Sequence, residues 1–536
     1  MMSTIVHSLA LRCLVIFCAI CVVGCGGGSG GGDSAGGLDI PIGGVPGSSN
    51  WVKGQFLPAS DFKGKCVSPR SGIDPTTGGS YTEVQGTRLD ENNWLRSMSN
   101  ELYLWYNEIA DQDPAGFDDS LEYFAELKTF ALTASGQEKD RFHFTLPTEE
   151  WLDLTESGIS VGYGFQWALL SAVPPRRAVI AYLDTESAEG LPDYIMRGTE
   201  LLSVDGVNVV NSDDIDTLNR GMWPASAGEQ HVFRLLPPGA TDPVTVTLTA
   251  KVVTSDPVQS VKSIQTDSGR KVGYMLFNDH IATAEGELIR AVSDLRGEGV
   301  EDLVLDLRYN GGGYLDIASE LAYMVAGDST SGRTFELSRF NDQHPNINPV
   351  TNRQLLPTPF HNTSRGFGAV QSGMTLPSLN LQRLFVLTGE GTCSASEAII
   401  NGLRGIDVEV VQIGDTTCGK PYGFYPLDNC GTTYFTIQFS GVNAKGFGDY
   451  SDGFVPGGSH QTEAHLPGCQ LGDDFTHFLG DTNEARFAAA LNYIDTGSCG
   501  DIPVNAFSPS PARERLSGVY ARVPKDIARS NRIMVR

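Results

Sequence analysis

The stretch "LQRLFVLTGEGTCSASEAIINGLRG" (residues 381–405) reads as three pieces in succession. An apolar run suits a buried strand, the glycines make a tight turn, and the remainder has helical spacing. The same grammar recurs on either side. "KVGYMLFN" (271–278) reads as a strand, and "EGELIRAVSDLRGEG" (285–299) as a helix with a glycine stop. "EDLVLDLRYNGGG" (301–313) reads as a buried strand running into glycines, "YLDIASELAYMVAG" (314–327) as a helix, and "EVVQIGD" (409–415) as another strand. Strands alternating with helices predict an α/β layer. A Pro- and Asn-rich insertion at about residues 341–380 interrupts it and is expected to be a surface excursion or an active-site lid.

Upstream the pattern changes. From Gly158, short strands alternate with turns, and Asp205-Gly206 marks a tight turn between two β-rich runs. The order resembles a bacterial PDZ domain. "GYGF" (Gly162, Tyr163, Gly164, Phe165) is similar to its carboxylate-binding loop, and "GTELLSVDGVNV" (198–209) to a stretch further along it. Backbone N–H groups at such a turn can grip a peptide carboxylate while a strand edge pairs with the peptide. Residues 51–157 are predicted to be mainly helical. One helix is read over 90–109, capped by Asp90, and a second over 120–132.

A chain of 536 residues suggests two to four domains. The net charge of −26 argues against a nucleic-acid partner. Arg12 and the apolar run Cys13–Val23 suit a secretory signal, and "VVGC" ending at Cys25 resembles a lipoprotein signal that exposes Cys25 for lipidation. "GGGSGGGDSAGG" then serves as a tether. By resemblance to Gram-negative lipoproteins, Gly26 implies an outer-membrane anchor facing the periplasm. Six further cysteines (Cys66, Cys393, Cys418, Cys430, Cys469, Cys499) in an exported chain read as disulfides. Their spacing offers no zinc motif, so neither metal nor cofactor is expected.

Two strand ends carry candidate chemistry. The glycines after "DLRYN" free backbone N–H groups for a close approach, and Ser394 stands at the positive end of a helix. Such a place can hold a developing oxyanion but needs a base. "IGDTTCGKPYGF" (413–424) offers Lys420. A lysine acts as a base only when neutral, so burial must lower its pKa from roughly 10.4 toward ~7–8. The uncharged neighbours Cys418, Gly419, Pro421, Tyr422 and Phe424 permit that.

"DLRYNGGG", "CSASEA" and "GDTTCGK", in this order behind a PDZ-like segment, resemble the C-terminal processing peptidases, the tail-specific serine peptidases, over about residues 90–495. "DGFVPGG" and the stretch 474–494 are similar to that family's closing turn and final helix. The resemblance implies Ser394 as nucleophile, Lys420 as base, and backbone N–H groups of Ala395, Gly312 and Gly313 as the oxyanion site. It also implies a peptide or unfolded protein C-terminus as substrate. The implied architecture is multidomain α+β: signal 1–24, tether 25–50, helical domain 51–157, PDZ-like β domain 158–255, a crotonase-like ββα catalytic core at 256–500, and a basic tail at 501–536. The tail is expected to be a flexible surface segment. The family's glutamine four residues beyond the lysine is Phe424 here, and Lys420 lies one residue further from the serine than the family spacing.

Other readings compete. Ser394 could be only an N-cap, with Ser396 and Glu397 as capping and packing groups. Cys393 could be a nucleophile, or it could pair with Cys418; Cys418 could instead pair with Cys430. "SDFK" (60–63) has the SxxK form without its partner motifs, and no GxSxG or HExxH occurs. Phe424 favours the alternative of a catalytically impaired peptide-binding lipoprotein.

Overall fold

A computed structural model describes residues 51–75, 77–185, 187–457 and 462–500, and the backbone of Arg532–Met534. The lipoprotein signal, Cys25 and the tether lie outside the described residues. Among those described are the helices α1 (Arg88–Leu102), α2 (Ser120–Glu126), α3 (Thr148–Ser157), α4 (Ile215–Met222), α5 (Ala284–Glu298), α6 (Leu315–Ala326), α7 (Ala395–Gly405) and α8 (Ala485–Thr496).

The centre is a six-stranded sheet in the order Val258–Gln265, Lys271–Phe277, Asp302–Asp306, Arg383–Thr388, Glu409–Gly414, Gly468–Gln470. The first pair is antiparallel and the rest are parallel. Its four central strands are mostly apolar on both faces, as a parallel sheet between helices requires. The alternation of side chains sorts them cleanly. Met275, Leu303, Leu305, Leu384 and Val386 face the core shared with α5, α6 and α7. Tyr274, Val304, Phe385, Val411 and Ile413 face Phe487, Ala490 and Ile494 of α8. Three loops that leave this sheet, after Asp306, Thr388 and Gly414, therefore emerge at the same strand ends.

The segment 51–157 is helical in part but does not stand alone. Phe144–Pro147 forms an antiparallel ladder with Thr432–Phe435, and Cys66 is disulfide-bonded to Cys430. Two helix boundaries differ from expectation. The N-cap of α1 is Thr87, and Asp90 sits at N3, where its carboxylate accepts from Thr87 N at 2.9 Å. The helix ends at Leu102 rather than 109, because Tyr103 turns extended to bury its ring and donate from its hydroxyl to Asp140 at 2.6 Å. Likewise α2 stops at Glu126 and not at 132.

Residues 159–254 form a β-rich region with a hydrophobic cluster of its own. A five-strand path runs Val244–Thr249, Gln230–Leu236, Glu200–Val204, Arg177–Leu183, Phe165–Ser171, and Lys251–Thr254 pairs with Ile159–Gly162. Arg197 latches this region to the central sheet. Its guanidinium donates to Ala181 O (2.7 Å), Tyr309 Oη (2.6 Å) and Asp473 Oδ1 (2.7 Å). Asp473 also accepts from Arg308, which is bidentate to Glu484 at 2.9 Å. Burial pushes the Asp473 carboxyl up, but Arg197, Arg308 and Arg486 outweigh it and hold the group well below the usual carboxylate range.

Of the basic tail, the described part is not a free surface segment. The backbone of Arg532–Met534 forms a parallel ladder with Gly312–Tyr314, a correction to the sequence reading. Surface excursion is also an incomplete description of the insertion, which is pinned to two helices by carboxylates. Glu285 of α5 accepts from Arg365 N (2.6 Å) and Phe367 N (2.6 Å), and Glu320 of α6 from Arg365 N (2.7 Å). Burial, with Glu285 alongside, pushes the Glu320 carboxyl up to about 9, so it is protonated in the fold at neutral pH. A carboxyl raised in the folded state stabilises fully below its ordinary value near 4.5, and that contribution is lost as pH rises through about 9. The wild-type Tm should therefore fall more steeply between pH 6 and pH 9 than that of Glu320→Gln, which stays neutral throughout. Calorimetry showing equal slopes would contradict this assignment.

Candidate active site

Ser394 occupies the junction between the strand Arg383–Thr388 and α7. Its backbone lies at φ 63°, ψ −115°, a region a residue with a Cβ rarely enters, so the junction is strained. Side-chain and backbone bonds hold it there. Thr392 Oγ1 donates to Leu307 O (2.7 Å), Cys393 N to Asn310 O (3.1 Å), and Ser396 Oγ to the same carbonyl (3.1 Å). Ser394 is fully buried, and its hydroxyl has no hydrogen-bond partner among the described residues. Its oxygen faces the Glu397 backbone N–H in a capping-box arrangement without making a hydrogen bond of ordinary geometry there. The neighbouring Ala395 N–H sits at the first helical position, where no intrahelical acceptor exists.

Glu397 brings the second loop to the first. It lies one turn into α7 and is fully buried. Its Oε2 accepts from Ser394 N (2.9 Å) and Lys420 N (2.8 Å), and its Oε1 from Gly419 N (2.8 Å) and Thr417 Oγ1 (2.5 Å). Burial pushes its carboxyl up, against the hydrogen bonds from Thr417, Lys420, Ser394 and Gly419. One side chain thus ties the backbones of Ser394 and Lys420 to a single carboxylate. The sequence spacing suggested only capping and packing for Glu397. The capping-box spacing was the available signal, and the second loop was the part it could not show.

A disulfide repeats the tie. Cys393 pairs with Cys418 across 5.1 Å between Cα atoms, and Cys418 N donates to Thr392 O at 2.9 Å. This closes the alternative of a Cys418–Cys430 bridge and leaves Cys393 without the free thiol a nucleophile needs. The remaining pair is Cys469–Cys499. Two groups of Cys and Glu side chains come close enough to hold a cation, Cys66–Glu91–Cys430 and Cys393–Glu397–Cys418, but their cysteines are spent in disulfides.

Lys420 is fully buried, with Nζ 4.3 Å from the ring centroid of Phe424 and 5.1 Å from that of Phe142. Phe424 is therefore a wall of the lysine's chamber. Phe142, the second wall, comes from the N-terminal segment, and no local sequence signal pointed to it. Gly419, at φ +82°, lets the loop turn: a Cβ there would lie 2.3 Å from Ser451 O.

The third loop supplies the glycines. Asn310 organises it, donating to Phe277 O (2.9 Å) and accepting from Gly312 N (2.9 Å), with His280 Nδ1 also 2.9 Å from its oxygen. The Gly312 N–H, expected to serve an oxyanion, is thus engaged by Asn310. Gly313 has φ +146°, and a Cβ on it would lie 2.4 Å from His280 O. The predicted peptide loop belongs to the β-rich region 159–254. Tyr163 and Phe165 are buried in its core, where Tyr163 Oη donates to Gly221 O at 2.7 Å.

Residues 271–428, which contain all three loops, match the family model described as Peptidase family S41. The chain is 28% identical over 214 residues to a carboxyl-terminal-processing protease of Picosynechococcus sp., covering 39% of this chain and 44% of the relative. It is 26% identical over 221 residues to one of Synechocystis sp., covering 41% and 44%. The match thus spans less than half the length of either relative. A solved Bacteroides fragilis structure described as an S41 protease superposes with a TM-score of 0.52 at 23% identity, covering 75% of this chain and 97% of that one; this likeness concerns the fold.

Removing the Glu397 carboxylate leaves four buried donors without their acceptor. Glu397→Ala should therefore lower unfolding free energy by about 3 kcal/mol or more in urea titration. A loss under about 1 kcal/mol would show that the clamp is not structural.

Proposed function

We propose that the chain, similar to the carboxyl-terminal-processing peptidases of family S41, is a serine endopeptidase working through a Ser394–Lys420 dyad. Its substrates are exported proteins or peptides cut near their C-termini. The observation that carries the reading is the shared Glu397 carboxylate, which holds the Ser394 and Lys420 backbones together. In the reaction, Ser394 Oγ attacks the scissile carbonyl while neutral Lys420 Nζ takes its proton. The developing oxyanion accepts from Ala395 N–H at the start of α7 and from the Gly313 N–H. Lys420 returns the proton to the leaving amine, and water then hydrolyses the acyl-enzyme by the same path in reverse roles. The rings of Phe142 and Phe424 line the buried amine, and burial of this kind disfavours a charged form. The strain at Ser394 adds support, since such backbone conformations cluster at reacting groups.

In this reading residues 158–255 act as a PDZ-like module that holds the substrate tail, and lipidated Cys25 tethers the enzyme to the periplasmic face of the outer membrane. Three disulfides support an oxidising compartment. Phe424, standing where the family has glutamine, is the observation behind the alternative of a binding protein without turnover.

Substitution separates the two. Ser394→Ala and Lys420→Ala should each cut turnover of an unstructured peptide by about a thousandfold or more while melting near the wild-type Tm. Unimpaired cleavage by purified Ser394→Ala would sink the dyad, and a wild-type chain with no turnover would favour the binding protein.

A further inference from the structure

The strand Arg532–Met534 lies in a chemically specific place. It runs parallel to Gly312–Tyr314, with Ile533 opposite Gly313. The other edge of that glycine strand is occupied: His280 N donates to Gly312 O (3.3 Å) and Tyr314 N to His280 O (2.9 Å). Successive residues of a strand point their polar groups to opposite edges. The Gly313 N–H and C=O therefore face the edge where residues 532–534 run. Those residues also lie against Tyr422–Gly423, just beyond Lys420. The tail thus threads between the glycine that would hold the oxyanion and the loop that carries the base.

Charge favours the same placement. Residues 501–536 contain seven basic and three acidic residues, a net +4 on a chain whose total is −26. A basic segment linked to an acidic body is drawn back onto it.

We propose that the C-terminal segment is an intramolecular ligand of the cleavage groove, with residues 532–534 bound as an extended strand where the substrate backbone would lie. The ligand class is an extended basic-apolar peptide, recognised through its backbone by the Gly312–Tyr314 edge. The proposal rests on the peptidase reading for the word substrate, but the binding it asserts does not require turnover. Bound in this way, the tail competes with incoming peptides. An intramolecular ligand at an effective concentration on the order of a millimolar, even with a Kd of about 100 µM, raises the apparent KM about tenfold.

Three versions of the chain test this: all 536 residues, the same with Met534→Pro, whose N–H faces the Gly313 carbonyl in the parallel ladder, and a chain ending at Gly500. Proline removes a backbone N–H and disrupts strand pairing. Both altered chains should show an apparent KM about tenfold lower with kcat unchanged. A fluorescent peptide of residues 527–536 should bind the shortened Ser394→Ala chain by anisotropy, weaken with added salt, and lose binding when it carries Met534→Pro. The point variant keeps the test valid if the shortened chain melts early. Unchanged KM in Met534→Pro, or no binding of the wild-type peptide, overturns the proposal and leaves the peptidase reading intact. Binding without any turnover overturns the peptidase reading and leaves the tail as ligand.

Discussion

Everything at the site depends on one buried carboxylate. Glu397 takes four hydrogen bonds from two loops that the chain supplies separately, one opening α7 and one leaving the strand Glu409–Gly414. Burying a carboxylate is costly unless donors replace its water, and here backbone N–H groups do most of that work. The consequence is geometric. The nucleophile candidate and the base candidate cannot move independently, because their amides share an acceptor. The Cys393–Cys418 bridge adds a covalent version of the same constraint. A tie of this kind can also sustain the strained backbone at Ser394, since such conformations persist only when the surroundings over-determine them.

A second buried cluster fixes the frame around the tie. Arg308, from the strand end beside the glycines, is bidentate to Glu484 of the turn before α8 and shares Asp473 with Arg197. Arg197 belongs to the β-rich region 159–254, so this network couples that region to the loop carrying Gly312 and Gly313. Breaking one partner of such a network strands the others as unpaired buried charges, which is why these contacts hold the two regions more firmly than surface pairs could.

Much of the fold was legible because parallel strands buried on both faces must be apolar runs, and amphipathic helices must alternate with them. The strands at 271–277, 302–306, 383–388 and 409–414 and the helices α5 to α7 follow from that rule. Ser394 and Lys420 were readable as candidates because serine at a helix start and lysine among uncharged neighbours are local patterns, and the structure brings their backbones onto one carboxylate. What escaped was non-local. Phe142 reaches Lys420 from the N-terminal segment, whose strand 144–147 is added to the edge of Thr432–Phe435. The end of α1 at Leu102 reflects the burial of Tyr103 against Asp140, which no helical periodicity records. Glu397 satisfied a capping pattern so well that its second set of partners had no separate trace. The tail strand at 532–534 carries no strand signal of its own, since its pairing is with a glycine edge far upstream.

The central claim is that Ser394 is the reacting atom's owner and Lys420 its activator. Treating the wild-type chain with a fluorophosphonate and mapping the adduct by peptide mass spectrometry reads this directly. The account predicts one modified residue, Ser394, and no adduct in Lys420→Ala over the same time. An adduct on any other side chain, or labelling of Ser394 that is indifferent to Lys420, would contradict it.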